Sequence, residues 1–265
     1  MKMLTPLLLF TLWVTPAAAQ DLRDLCPARP GLGTPPCIVD KGHVLAEMGI
    51  ADWTKDDDGE SRTDTVLTGD LLLRYGLDSM SEVQLGWTAL GHSRERDKAT
   101  GAVTRAHGTG DVSLTYKRSL MNPDGAGFSV ALQPSVTFPT GGSAIGAGDW
   151  SAAFIVPINA DVGKGLSLQF SPEIDAAVDM DGKGRHSAYG GVAGLGIDLS
   201  ESVSADIELS AFRDSDPMGH SSIMLVSGAL AWQPADAWQV DLGGAFGLNA
   251  YSPDARLYCG VARRF

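Results

Sequence analysis

Beyond its first twenty residues the chain has no stretch that could cross a bilayer as a helix. Every later apolar run is broken by charge, Gly or Pro within about ten residues, half of the ~20 that a spanning helix needs. Sustained 3.6-residue periodicity is missing as well, which argues against a helical enzyme fold. Basic residues are scarce: 20 Lys and Arg stand against 32 Asp and Glu, for a net charge of −12. A nucleic-acid partner would need a basic face and is excluded. The five histidines show no metal-ligand spacing, so no metal is expected. The Gly-rich run from Pro139 to Gly148 lacks the Lys-Ser/Thr of a phosphate loop, and no cofactor is expected.

What is present instead is glycine, 32 residues of it, and alternation of apolar and polar side chains with period two. The opening residues read as a secretory leader: Lys2, an apolar stretch from Leu4 to Val14, then Ala17-Ala18-Ala19. We place residues 1–19 as a signal peptide cut after Ala19. The three cysteines fit an oxidising compartment. Cys26 and Cys37 flank a Pro/Gly-rich segment and are candidates to pair, which leaves Cys259 alone in the last strand.

The other end alternates too. Leu257, Cys259, Val261 and Phe265 share one face of a final segment. A terminal Phe on such a strand resembles the signal that the barrel-assembly machinery of Gram-negative bacteria reads. A membrane barrel must pair every backbone group between strands and close without an edge. Its strands need ~9–11 residues, with lipid-facing and lumen-facing side chains alternating. Twelve such segments can be laid on the chain: 42–54, 64–76, 81–92, 109–119, 127–138, 149–162, 165–178, 186–199, 202–213, 221–233, 237–248 and 255–265. The sequence therefore predicts an all-β fold, an antiparallel up-and-down transmembrane β-barrel of about twelve strands over residues 42–265. Short and long connections alternate along it, the short ones periplasmic and the long ones outside. Pro134, Pro157 and Pro172 fall within strands, where proline is costly, and mark either bulges or openings in the wall.

The barrel half resembles the family of outer-membrane proteins linked to the MetA pathway of phenol degradation. The residues that carry the likeness are Gly110-Asp111-Val112-Ser113-Leu114, then Tyr116-Lys117, then Thr137-Phe138-Pro139-Thr140-Gly141. Val240 to Asn249 follows, with Pro253-Asp254, Tyr258, Gly260 and the closing Arg264-Phe265. The resemblance spans residues 42–265. It implies a barrel for uptake of small, often hydrophobic or aromatic molecules.

Charged side chains facing lipid at mid-bilayer would cost ~2–4 kcal/mol each, so the alternation turns them inward. The lumen-lining candidates are Glu47, Asp70, Arg74, Glu82, Asp111, Lys117, Glu173, Asp175, Asp206, Glu208, Asp241 and Arg256. They form either a salt-bridged filling or a cation-favouring path. Residues 20–41 show no alternation and are either a periplasmic tether or a plug folded into the lumen. Catalysis is not expected. His92-Ser93, His186-Ser187 and His220-Ser221 are adjacent pairs, and neighbours on a strand point to opposite faces. Asp56 to Glu60 and Asp179-Met180-Asp181-Gly182 are weak matches to a calcium loop and read as solvated acidic turns. Trp87 and Tyr116 fall within strands, and Trp53, Trp150, Trp232, Trp238 and Tyr251 near strand ends, as in interface belts. The sequence thus predicts an outer-membrane channel or facilitator for passive uptake of small molecules; the alternatives are a closed structural or surface-binding barrel and, less favoured, a lipid hydrolase. Outer-membrane lipid and the assembly machinery are its expected partners, and the solute is not named.

Overall fold

The computed structural model describes residues 22–142 and 144–265. The expected leader and its cleavage point lie outside the described residues. Fourteen strands follow in order: β1 Val44–Asp57, β2 Ser61–Gly76, β3 Ser81–Asp97, β4 Val103–Gly108, β5 Val112–Met121, β6 Phe128–Phe138 and β7 Ser151–Ile155. Then come β8 Ile158–Gly163, β9 Leu166–Val178, β10 Arg185–Asp198, β11 Val203–Asp216, β12 Gly219–Ala235, β13 Trp238–Gly247 and β14 Ala255–Arg264.

They make twelve staves. β4 and β5 both pair with β3 and together form one stave, while β7 and β8 both pair with β6 and β9 and form another. Each stave pairs antiparallel with the next, and the last closes on the first through Leu45 to Lys55 on β1 against Arg264 to Ala255 on β14. Closure removes both sheet edges, the condition for a sheet in hydrocarbon.

The alternation read in the sequence is the alternation of the wall. Leu85, Trp87, Phe128, Phe170, Ile174, Ile207, Leu209, Leu242, Phe246 and Leu257 all point outward and are exposed. Their polar neighbours Gln84, Ser129, Gln133, Ser171, Glu208, Asp241 and Gln239 are buried on the inner face. The molecule is inside out relative to a water-soluble domain, because its exterior solvent is lipid. Cation–ring contacts sit at strand ends: Arg185 over Trp150 at 3.6 Å, and Arg263 over Trp238 at 4.6 Å.

Two details differ from the sequence reading. The first is the extent of the outer loops. The stretch 93–108, expected as a long loop, is mostly a two-stranded ribbon running from Gly91↔Gly108 to Arg96↔Val103. The loop expected at 214–221 likewise gives way to a hairpin, paired up to Asp216↔Gly219. Ladder hydrogen bonds do not stop where the apolar band stops, and β3 carries charge on both faces once it leaves the membrane. The second is the segment 149–162, expected as one strand, which is interrupted at Val156-Pro157. Pro172 on β9 lies opposite this interruption, since Ile155 pairs with Glu173 and Ile158 with Phe170. Two prolines thus share one gap in the ladder. The gap is stitched by Ala131 N–H to the Pro157 carbonyl at 2.9 Å and Val156 N–H to the Pro172 carbonyl at 3.0 Å. The register is the same on both sides of the gap, against β6 (Gln133↔Ile155, Val130↔Ile158) and against β9, so no residue is inserted and the structure shows a local interruption of the ladder rather than a bulge.

Candidate lumen site

Residues 22–41 run inside the barrel and are held there by wall side chains at many points. The strongest seat is Arg74 on β2. Its guanidinium has zero exposure. Nε donates to Glu82 Oε1 at 2.8 Å and Nη2 to Glu82 Oε2 at 3.2 Å. Nη1 donates to Glu47 Oε1 at 3.2 Å and to the Cys26 carbonyl at 2.9 Å, and Nη2 to the Cys37 carbonyl at 3.1 Å. All five donors of the fork are used. Burial of an arginine costs several kcal/mol unless such partners surround it, and here two carboxylates and two carbonyls do.

The carboxylates reach back to the segment. Glu47 accepts from Ala28 N–H at 3.0 and 2.9 Å and from Arg29 N–H at 3.0 Å. Glu82 accepts from Val39 N–H at 2.6 Å. Lys117 on β5, also without exposure, donates Nζ to the Pro35 carbonyl at 2.9 Å and lies 3.9 Å from Glu82. Across the lumen, Glu208 on β11 accepts from Leu32 N–H at 2.6 Å and Gly33 N–H at 3.0 Å. Asp241 on β13 pairs with Arg29 at 2.9 Å. An irregular segment leaves its backbone groups without a ladder, and buried N–H and C=O groups need partners. The inward charges supply them. Cys26 and Cys37 are joined by a disulfide that closes this part of the segment.

Glycine lets the segment approach the wall. A Cβ on Gly76 would come within 2.2 Å of the Asp40 carbonyl, and one on Gly260 within 2.3 Å of Arg29 Nε.

Six of the twelve lumen candidates, Glu47, Arg74, Glu82, Lys117, Glu208 and Asp241, therefore converge on the segment. The others are placed elsewhere. Arg256 pairs with Asp52 within the wall, Nε to Oδ1 at 3.0 Å. Asp70 accepts from Thr88 Oγ1 at 2.8 Å. Asp111 lies just before β5 and accepts from Gly141 N–H at 2.7 Å and Ala147 N–H at 2.8 Å, pinning the 139–150 loop. Glu173 and Asp175 share the inner face of β9, and Asp175 lines a cavity of ≈ 270 Å³ with Ser135, Thr137, Ala153 and Ala177. Asp206 accepts from Gln169 Nε2 at 3.1 Å and lines a cavity of ≈ 200 Å³ between the segment and the β9–β13 wall. That cavity has Ser167, Gly196, Ser204 and Ala231 on its wall side. It shares Asp198 with a larger cavity of ≈ 1010 Å³ at the mouth where both ends of the barrel wall emerge, lined by Leu25, His43, Gln233 and Phe265.

Sequence reasoning did not find Arg29, Ser171, Gln239 or Gln233 as partners. Ser171 Oγ exchanges bonds with Thr34, Gln239 donates to the Arg29 carbonyl, and Gln233 donates to the Leu25 carbonyl. Uncharged inward residues carry no signal beyond their place in the alternation, and Arg29 lies where no alternation gives a register. The acidic turn at 56–60 folds on itself: Asp58 accepts from Glu60 and Ser61 N–H groups, and Asp57 pairs with Lys98. His92 and Ser93 are successive residues of β3 and so point to opposite faces.

Residues 28–265 match the family described as "Putative MetA-pathway of phenol degradation". The chain belongs to this family. The match begins within the lumen segment, so the family pattern takes in residues 28–41 along with the barrel. Among solved structures, the fold is similar to an outer membrane channel from Pseudomonas putida F1, with 14% identity over 90% of this chain and 100% of that one, at a TM-score of 0.72. It is also similar to the NanC porin, with 8% identity, 83% and 98% coverage and a TM-score of 0.52. The KdgM porin gives 11% identity, 84% and 99% coverage and a TM-score of 0.50. At these identities the likeness to solved structures is one of fold. No curated protein matches this family member.

Proposed function

We propose that the protein is a passive channel or facilitator of the outer membrane, taking up small molecules that include hydrophobic and aromatic ones, and that it is not an enzyme. In this reading residues 1–19 are a leader cut near Ala19, Phe265 is read by the barrel-assembly machinery, and residues 22–41 are a lumen plug that sets the size limit. The observation that carries it is the way the lumen is filled. The segment is anchored by buried ion pairs to β1, β2, β3 and β13, while a cavity of ≈ 200 Å³ against the β9–β13 wall adjoins the cavity at the mouth. Small wall residues there leave space, and Asp198 and Asp206 give it a negative lining. The family's link to phenol degradation and the fold likeness to the Pseudomonas putida channel fit the same activity.

Swelling of liposomes that contain the full chain tests it. Uncharged and cationic aromatic solutes of low mass should swell them faster than protein-free liposomes, and larger sugars should not. Absence of swelling with every solute, both with the plug in place and with residues 22–41 deleted, would leave the closed structural barrel as the function.

A further inference from the structure

At the outer end of the barrel, one imidazole sits among three carboxylates that come from two hairpins. His186 opens β10. Its Nδ1 lies 2.9 Å from Asp179 Oδ1, just past the end of β9, and 3.5 Å from Asp216 Oδ2, at the end of β11. Its Nε2 lies 2.9 Å from Asp214 Oδ1 yet has no hydrogen-bond alignment with it, and so is a buried nitrogen without a partner among the described residues. The side chain is 6% exposed. Asp216 is buried as well.

Proton counting shows why this cluster is unfinished. A neutral imidazole carries one N–H and one lone pair. Here both nitrogens face carboxylate oxygens, so one lone pair would oppose an acceptor. A fully protonated ring still leaves two of the three negative charges uncompensated, around a buried imidazole and a buried Asp216, with Asp179 and Asp214 partly exposed. Other uses of these oxygens do not remove the excess. Asp216 accepts from Met180 and Met218 N–H groups, which are neutral donors.

We propose that Asp179, His186 and Asp216 form a binding site for a divalent transition ion of the zinc type, which clasps the β9–β10 hairpin to the β11–β12 hairpin at the outer mouth. His186 Nδ1 and one oxygen each of Asp179 and Asp216 lie within 4.8 Å of one another. With metal–ligand bonds of about 2.0–2.1 Å, the two nitrogen–oxygen separations correspond to angles of about 90° and about 120° at the metal, within reach of a four- or five-coordinate site completed by water. An imidazole donor favours zinc over calcium, which prefers six to eight oxygens. Asp214 Oδ1, 2.9 Å from Nε2 but out of line with it, is near enough to accept the Nε2–H after a small turn of the ring onto the metal, the part an outer carboxylate commonly plays at histidine-ligated metals. Gly184 permits the turn to close on the site, for a Cβ there would come within 2.7 Å of Asp179 Oδ2.

The test is a titration of the folded, chelator-treated full chain in detergent with Zn²⁺, read by competition with a chromophoric chelator. One saturable Zn²⁺ per chain is expected. His186→Ala and Asp179→Asn should each weaken it at least ten-fold, while His107→Ala, on the distant β4 ribbon, should leave it unchanged. Millimolar Ca²⁺ should not displace the ion. Heat-modifiable migration on gels checks that each variant remains a folded barrel. If a variant does not fold, anomalous diffraction from Zn²⁺-soaked wild-type crystals decides: a peak between His186 Nδ1, Asp179 and Asp216 supports the site, and none overturns it. Absence of stoichiometric binding, binding unaffected by His186→Ala, or displacement by Ca²⁺ would each overturn the proposal.

Discussion

Arg74 and Glu82 meet on adjacent staves with no exposure on either side chain, Nε to Oε1 at 2.8 Å, and between them they hold both ends of a disulfide-closed loop. Arg74 takes the carbonyls of Cys26 and Cys37, while Glu82 takes the N–H of Val39. The pair is the hinge between wall and lumen segment.

Arg74→Met should leave Glu47 buried without a counterion and Glu82 with only Lys117, 3.9 Å away, a loss of about 3–5 kcal/mol. The barrel itself is closed by its ladders, so the cost should fall on the segment. Single-channel conductance should rise and the segment should become sensitive to trypsin at Arg23. Unchanged conductance together with an intact segment would contradict this.

Reduction of the Cys26–Cys37 disulfide should loosen the same region. The bond closes a loop with a sequence separation of 11, for which loop-closure arguments give about 2–4 kcal/mol. Cys26→Ser with Cys37→Ser, or dithiothreitol on the wild type, should raise conductance without shifting the unfolding midpoint of the barrel.

Gly260→Val would place side-chain atoms where the Arg29 guanidinium lies. Arg29 should be displaced from Asp241, leaving that buried carboxylate unpaired. The effect on conductance should resemble that of Asp241→Ala, and the double variant should be no worse than either single one.

Leu242 and Asp241 are neighbours on β13 with opposite fates. Leu242 is 58% exposed on the outside, whereas Asp241 is buried within. Leu242→Arg should destabilise the barrel in vesicles by up to about 2–4 kcal/mol, measured by denaturant unfolding. Asp241→Asn should change stability less and act on the segment instead.

At the outer turn between β1 and β2, the Ser61 and Glu60 N–H groups hold the Asp58 carboxyl below its ordinary value. A depressed value in the folded state means that the turn gains from the ionised form above the unfolded value, near 4, and loses that gain as pH falls through the lower, folded one. Side-chain titration by NMR should show Asp58 ionised at pH 4, and Asp58→Asn should remove the dependence.

Much of the wall was legible because its side-chain period is two and its outside solvent is apolar. Leu242 against Asp241, and Leu209 against Glu208, could be assigned to faces from the alternation alone. The candidate site was legible only in part. Charge turned Glu47, Arg74, Glu82, Lys117, Glu208 and Asp241 inward, but no rule of alternation could say what they touch. Their partners lie on a segment without regular structure, reached across separations such as the 212 residues between Arg29 and Asp241. The cluster at His186 was hidden for a similar reason. Its ligand spacing is not a sequence spacing, because Asp179 and Asp216 reach it from two different hairpins.

By itself, then, the sequence determined the strand period, the number of staves and which residues face lipid. These depend on local alternation and on the cost of charge in hydrocarbon. Only the tertiary structure decided the course of residues 22–41, the pairing of Arg29 with Asp241 and of Arg74 with two glutamates, and the meeting of two outer hairpins at His186. Each of these joins groups far apart in the chain. Barrel closure brings them together, and the need to satisfy buried charge and backbone then fixes their partners.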